Sequence, residues 1–483
     1  MEVVVATWRG MLLWGILYGL WACAGEGGTT GRDAAADPGS APEVLFDAGG
    51  DAAADAWGKD AAAEGEVDAA ADGAGDPGGG PDATGLDAAE PAPFEVAETL
   101  ADQAADPGDG PDAASDSPAD TGPACTPEPP VAADGPRTVL VTHPFSSESG
   151  VCGRGLEVLR LAPDGTLSTT GDVLDVGNCP TRVVFSPDGR LALVLTNNND
   201  PQAGDRSLVV LRHHADGGLE LAGALDQFAL RAVEDVAFSL DGTRAYVTDD
   251  NVVGQGGVHE IAVQPGCGAS YVRWIDLHHA SSITMLPDGL HAAVLAGPVY
   301  NDPKDLAFVD LASSTVVGQT ANFTDFVTAA SLAASPDGKT LLVPNDSPFS
   351  SLGNTLTVLS LSPVGGVPVP AIRQVVTDVE TPTEVLYSVD GSKVLVTSFE
   401  GDSVRWFQVG ADGDLSGGGT VSGIGLADRA DMLRRGPLAG TVLVSSVTDV
   451  ARLRVTATGV EKLPKLPLGS GSDKICGDVA IEP

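Results

Sequence analysis

Between residues 137 and 483, short apolar runs alternate with turn residues at a steady interval. The runs LALVLT, RAYVT, HAAVLA, TLLVP and KVLVT each follow a tetrapeptide ending in Asp-Gly: SPDG at 186, SLDG at 239, LPDG at 286, SPDG at 335 and SVDG at 388. The Asp positions, 188, 241, 288, 337 and 390, step by 53, 47, 49 and 53 residues. Two further runs, TVLVT at 138 and TVLVS at 441, lack the turn signature and bring the number to seven. A second set of seven follows: LEVLRL, LVVLRH, VHEIAV, LAFVDL, LTVLSL, VRWFQV and ARLRVT. A weaker fourth run fills each unit. Runs of this length between turn signals read as strands. Four short antiparallel strands in about 49 residues make a propeller blade. The predicted fold class is all-β, a seven-bladed β-propeller of four-stranded antiparallel blades.

The recurring tetrapeptide suits the first hairpin of each blade. Pro presets φ at the first turn position, and Asp and Gly tolerate the positive φ that follows. Turn chemistry accounts for the motif without a catalytic role. One inner strand is missing, because the first unit starts at its second strand, TVLVT. The C-terminal CGDVAIEP matches EDVAFS at 234–239. The C-terminal strand is therefore expected to complete the first blade from inside and close the ring, which removes exposed sheet edges.

The units VVFSPDGRLALVLTN, VAFSLDGTRAYVTDD and PTEVLYSVDGSKVLVTSFEGDSVRWFQV resemble the YVTN-repeat and lactonase-like seven-bladed propellers, over residues 137–483. The resemblance implies the fold, and it implies either lactone hydrolysis or exported binding proteins without chemistry. In the hydrolases a Pro-His pair stands before an inner strand. Here the equivalent stretches are Cys179-Pro180-Thr181-Arg182 and Thr381-Pro382-Thr383-Glu384, with Pro kept and His gone. His143, His259, His278 and His279 fall elsewhere. The WD dipeptide is absent, and with only six Trp a quinone-cofactor propeller is not expected.

The first 136 residues change the picture. Met11 to Leu20 is an apolar run behind Arg9, too short for a membrane span and suited to a secretory signal over residues 1–22. Leu20-Trp21-Ala22-Cys23 resembles a lipobox, which makes Cys23 the expected lipidation site. A plain signal peptide is the alternative. Residues 24–136 hold 26 acidic residues against Arg32 and Lys59, about −24 of the formal −41. Such an Ala/Asp/Gly/Pro segment cannot build a core, so a disordered acidic linker is expected over 23–136, with at most a weak helix over 93–106. The reading is a lipid-anchored protein of the bacterial cell envelope, at the outer membrane or cell surface. The other cysteines, 125, 152, 179, 267 and 476, form no C-x-x-C pair. In an exported protein one disulfide is expected among Cys152, Cys179 and Cys476, with Cys152 to Cys179 favoured.

Aligning the inner strands isolates one position per blade near the channel mouth: Arg182, Asp235, Ser282, Ser331, Glu384, Asp431 and Asp478. Strand ends in water commonly carry polar residues. Alternatively, four carboxylates beside one arginine raise one another's pKa and bind a cation or a ligand. The loops of the same face, 196–205, 248–257, 296–305, 343–354 and 398–403, carry Asn and Asp oxygens of the kind that coordinate Ca²⁺, though none matches a calcium-loop motif. No serine nucleophile elbow, H-E-x-x-H, P-loop or dinucleotide fingerprint occurs. No other cofactor is expected. The folded part alone is near −17, a poor match for nucleic acid or anionic lipid. The expected partner is a small ligand or an envelope protein bound by a non-catalytic module. Lactone hydrolysis at the channel mouth is the alternative.

Overall fold

The computed structural model describes residues 134–145, 152–196, 208–225, 233–250, 256–296, 305–320, 328–329, 331–346, 354–468 and 477–483. The leader, Cys23, the acidic segment and the 93–106 stretch lie outside them. The described residues form seven antiparallel sheets and no helix. From channel to rim, blade 2 runs Pro180–Phe185, Leu191–Thr196, Leu208–His213 and Leu219–Leu225. Blade 3 runs Val233–Phe238, Arg244–Asp249, Gly257–Gln264 and Gly268–Asp276. Blade 4 runs Ser282–Met285, His291–Ala296, Asp305–Asp310 and Thr315–Thr320. Blade 5 has its inner strand in two pieces, Thr328–Ala329 and Ala333–Ala334, both paired with Thr340–Asp346, then Thr355–Val364 and Val367–Val376. Blade 6 runs Pro382–Tyr387, Lys393–Ser398, Ser403–Val409 and Leu415–Ser422. Blade 7 runs Ala430–Met432, Thr441–Ser445, Asp449–Val455 and Val460–Pro467.

Blade 1 closes the ring as the repeat predicts. Val479–Ile481 pairs inside Arg137–Phe145, with Val139 opposite Ile481 and Val141 opposite Val479, and Cys152–Leu161 and Leu167–Asp175 follow outward. There is no single central core. Seven apolar clusters lie between neighbouring blades. The cluster of Val139, Val141, Leu443, Val450 and Val479 seals blade 7 to blade 1. Middle strands such as Leu191–Thr196 are buried at every position because both faces meet another blade, hence their unbroken apolar runs. Outer strands alternate or face water.

The turns show what each residue of the tetrapeptide does. Only Gly takes positive φ, between +68° and +72° at 189, 242, 289, 338 and 391. Asp instead accepts hydrogen bonds within the turn. Ser186 Oγ donates to Asp188 Oδ1 at 2.6 Å and accepts from Leu191 N at 3.0 Å, and Ser239, Ser335 and Ser388 repeat the pattern. Where Leu286 replaces Ser, His291 Nδ1 meets Asp288 Oδ2 at 2.7 Å instead. Adjacent turns also touch. A Cβ on Gly391 would lie 3.3 Å from Pro336, and one on Gly242 would lie 3.4 Å from Pro187.

The run SGGGTVSGIG has the glycine content of a blade-connecting loop, yet its first seven residues lie in the outermost strand of blade 6. The reason is Trp406. A Cβ on Gly418 would sit 1.9 Å from the Trp406 carbonyl oxygen, and one on Gly419 would sit 3.0 Å from the indole nitrogen. The glycines make room for a bulge and an indole ring.

Candidate functional site

The seven aligned residues lie at the end of the inner strands away from the Asp-Gly turns. In four places their side chains join one blade to the next. Asp478 Oδ2 of blade 1 accepts from Val183 N of blade 2 at 2.8 Å. Asp235 Oδ2 of blade 3 accepts from Ile283 N and Ser282 Oγ of blade 4 at 3.2 and 3.0 Å. Ser331 Oγ of blade 5 accepts from Val385 N of blade 6 at 3.2 Å, and Asp431 Oδ2 of blade 7 accepts from Ile481 N at 2.8 Å. These amides belong to inner strands, which have a neighbour on one side only. The polar register satisfies donors that would otherwise be lost at the channel wall.

At the centre, Arg182 gathers four blades. Its Nε donates to Asp235 Oδ1 at 3.0 Å, and its Nη1 donates to Glu384 Oε2 at 3.1 Å and Asp478 Oδ1 at 3.4 Å. Blade 7 adds Arg429, whose Nη1 donates to Glu384 Oε2 at 3.0 Å. The side chains of Arg182 and Arg429 are 15% and 22% exposed, against 9%, 5% and 3% for Asp235, Glu384 and Asp478. Water therefore meets guanidinium first, with carboxylates behind it.

Burial would strip charge from Arg182, but Asp478, Asp235 and Glu384 override it and hold the guanidinium well above its ordinary pKa. Burial also works on the acids. It pushes Asp478 up to about 6, against Arg182 and the Val183 amide. It raises Asp431, opposed by the Ile481 amide, and Asp428, opposed by Arg429. Desolvation, more than mutual repulsion, is the cause.

The structure thus brings Arg182, Asp235, Glu384 and Asp478 into one network with Ser282 at its edge. Ser331 and Asp431 serve the blade joints. Arg429 and Asp428 were missed. Arg429 precedes Asp431 by two residues, so strand alternation could have placed it on the same side.

Other candidates disperse. His143 Nε2 meets Glu157 Oε2 at 3.0 Å, His259 Nε2 meets Asp249 Oδ2 at 3.3 Å, and His279 Nδ1 meets Asp250 Oδ1 at 2.7 Å. None of these bonds involves the central network. The rim loops lie mostly outside the described residues, including 197–200. Among the described residues no group of three or more His, Cys, Asp or Glu is arranged to hold a metal. Cys179 takes part in a disulfide, and its amide donates to Gly153 O at 2.8 Å, next to Cys152. The Cys152 side chain and Cys476 lie outside the described residues. Cys267, outside the three cysteines among which one disulfide is expected, is also disulfide-bonded.

No family model and no curated protein matches the sequence. Among solved structures, the periplasmic gluconolactonase of Pseudomonas aeruginosa matches at 17% identity and TM-score 0.56, over 72% of this chain and 99% of that one. A candidate 6-phosphogluconolactonase from Bacteroides uniformis matches at 14% and 0.56, with the same coverage. A hypothetical selenium-binding protein from Sulfolobus tokodaii matches at 10% and 0.55, over 72% and 94%. Neighbours this distant in sequence show a shared fold and no more: the chain is a seven-bladed propeller.

Proposed function

We propose that this chain is an envelope-displayed binding protein whose propeller takes a small neutral polyhydroxylated ligand, a sugar or sugar lactone, at the channel mouth. The observation that carries the reading is the layering of guanidinium over carboxylate around Arg182. Among the described residues Arg182 Nη2 has no hydrogen-bond partner, while Nε and Nη1 are fully used. A ligand hydroxyl accepts from that nitrogen and donates to a carboxylate lone pair, so vicinal hydroxyls match the pair. A neutral ligand also avoids the excess of acid in the folded part. The proposed display rests on sequence: the lipobox-like Cys23 and the acidic segment after it.

A second reading, lactone hydrolysis at the same mouth, is favoured by the fold shared with the gluconolactonase. Against it, no histidine joins Arg182, Glu384 or Asp478 as a base. Calorimetry with monosaccharides and glucono-δ-lactone tests both. Binding that weakens at least tenfold in Arg182→Met and Glu384→Gln, without turnover, supports the binding protein. Lactone turnover above the buffer rate that Arg182→Met abolishes supports the hydrolase. Binding or turnover indifferent to both substitutions removes the site from the channel mouth.

A further inference from the structure

The apolar seam between blades 5 and 6 stops short of the mouth end. Val394, Val396 and Phe407 of blade 6 pack with Leu356 and Val358 of blade 5. On the same face of blade 6, Arg405 stands with its guanidinium carbon 4.9 Å from the centre of the Phe407 ring. Strand alternation adds Ser403, which lies opposite Ser398 on one side and Ser422 on the other, while Thr420 lies opposite Arg405. The seam thus turns polar on the outer strands, about 10 Å outward from the inner strand that carries Glu384. Asp378, Val379 and Glu380, which lead from blade 5 into blade 6, wall the other side of a groove of about 390 Å³.

The groove holds more polar bonding capacity than the protein uses. Arg405 is half-buried, and its Nη1 donates to Asp378 O while the Phe407 ring supports the guanidinium face. Among the described residues these are its only polar partners, and no carboxylate pairs with it. Ser403 is 7% exposed, yet its hydroxyl makes no hydrogen bond among the described residues. A buried hydroxyl left in that state costs free energy. On the opposite wall Glu380 is exposed, and no cation among the described residues pairs with it. Ser398 Oγ donates to the Glu380 backbone oxygen, and a Cβ on Gly401 would lie 3.2 Å from Glu380 Oε2. Access is open at the rim, where a Cβ on Gly417 would meet nothing within 4 Å. A guanidinium and a carboxylate therefore share one groove without meeting.

A simple anion on Arg405 would face the carboxylates of Glu380 and Asp378. A simple cation on Glu380 would leave the guanidinium unpaired. A ligand carrying both charges satisfies both walls. We propose that this groove binds a small zwitterion, an amino acid or a short peptide with free ends, its carboxylate on Arg405 and its ammonium on Glu380. The remaining guanidinium N–H groups suit a carboxylate, which accepts two parallel bonds from arginine. The Ser403 hydroxyl, able to donate and to accept, serves the polar atoms between the two charges. The groove is lateral to the channel mouth and shares no residue with the Arg182 network.

The test is calorimetry of the full chain with glycine and triglycine, then with the N-acetylated and C-amidated forms of whichever binds. At least one of the two zwitterions should bind, and Arg405→Gln and Glu380→Gln should each weaken it at least about tenfold. Ser403→Ala should weaken it about fivefold. The amidated form should bind wild type and Arg405→Gln alike, and the acetylated form should bind wild type and Glu380→Gln alike. Glu380 has no side-chain partner to lose, so its variant carries the test independently of any stability lost with the Arg405 bond to Asp378. Failure of both zwitterions to bind at millimolar concentration, equal binding of capped and free forms, or binding indifferent to Arg405→Gln or to Glu380→Gln overturns the proposal. Binding lost in Glu384→Gln but kept in Arg405→Gln would move the ligand to the channel mouth and equally overturn it.

Discussion

Replacing Arg182 by Met keeps much of its length and removes the charge that Asp235, Glu384 and Asp478 share. Glu384 retains Arg429. Asp235 and Asp478 lose the guanidinium that hydrogen-bonds to them, and only Asp478 still feels Arg429 at longer range. Leaving buried charges unpaired in this way costs about 3–5 kcal/mol. Unfolding entropy near 2.1 cal/mol/K per residue makes that roughly 5 °C in Tm for a domain of about 350 residues. The pH dependence follows from linkage. Asp478 already stands near 6 with Arg182 present, and losing the guanidinium moves it higher. A folded-state pKa above the unfolded value of about 3.9 means the native state holds the extra proton, so stability falls as pH rises through that window. The deficit of Arg182→Met should be smaller at pH 4.5, where Asp478 holds its proton, than at pH 7.5, where it is near its full size. Calorimetric scans of wild type and variant at the two pH values read the difference. An equal deficit at both, or a variant as stable as wild type at pH 7.5, would refute the claim that this guanidinium is the counter-charge of buried acids.

Gly391→Ala should cost about 2–3 kcal/mol, from positive φ plus contact with Pro336, whereas Gly365→Ala, with positive φ and open space, should cost about 1; equal losses in urea titrations would deny that the turns pack on one another. Asp390 is held down to about 2, first by the Ser388 hydroxyl and then by the Ser392 amide. Its contribution is present above pH 4 and disappears as pH falls toward 2, so Asp390→Asn should lose up to about 1 kcal/mol at pH 6, discounted for exposure, and nothing at pH 2; a pH-independent loss would rule this out. Removing residues 477–483 takes away the closing strand with Asp478 and Glu482; light scattering should report aggregation and calorimetry a broadened transition, and a stable monomer would contradict the closure.

The blades were legible because each middle strand is enclosed on both faces, and enclosure writes itself as an unbroken apolar run. Closure was legible because DVAI repeats the inner strand of blade 3. The ring of polar residues could be aligned because it keeps one register with the turn. What escaped depends on distant partners. Alternation could place Arg429 beside Asp431, but the partner that gives it a role, Glu384, lies 45 positions away in another blade. Glu482 looks like an ordinary terminal acid, yet it accepts from Thr138 N at 2.9 Å across 344 positions. His213 was passed over for the same reason. The glycines of blade 6 answer to Trp406, and no local signal tells a glycine that yields to an indole from one that turns a loop.

Glu482 has a consequence for the topology of the ring. Glu482 and Thr138 exchange backbone and side-chain hydrogen bonds as Ser186 and Leu191 do, with Glu482 N on Thr138 O at 2.9 Å and Ser186 N on Leu191 O at 2.8 Å. Pro483 takes the place of Pro187, and Gly189 of the next turn lies against it. Set beside Ser186-Pro187-Asp188-Gly189-Arg190-Leu191, the closure reads Glu482-Pro483, a gap, then Arg137-Thr138. The gap is the length of one Asp-Gly. A dipeptide would therefore join Pro483 to Arg137 and make the domain circular, and fresh ends could be opened at the turns after Ser239, Ser335 or Ser388. Such permutants should fold with the same seven blades, because no blade of this ring is first except by where the chain enters it.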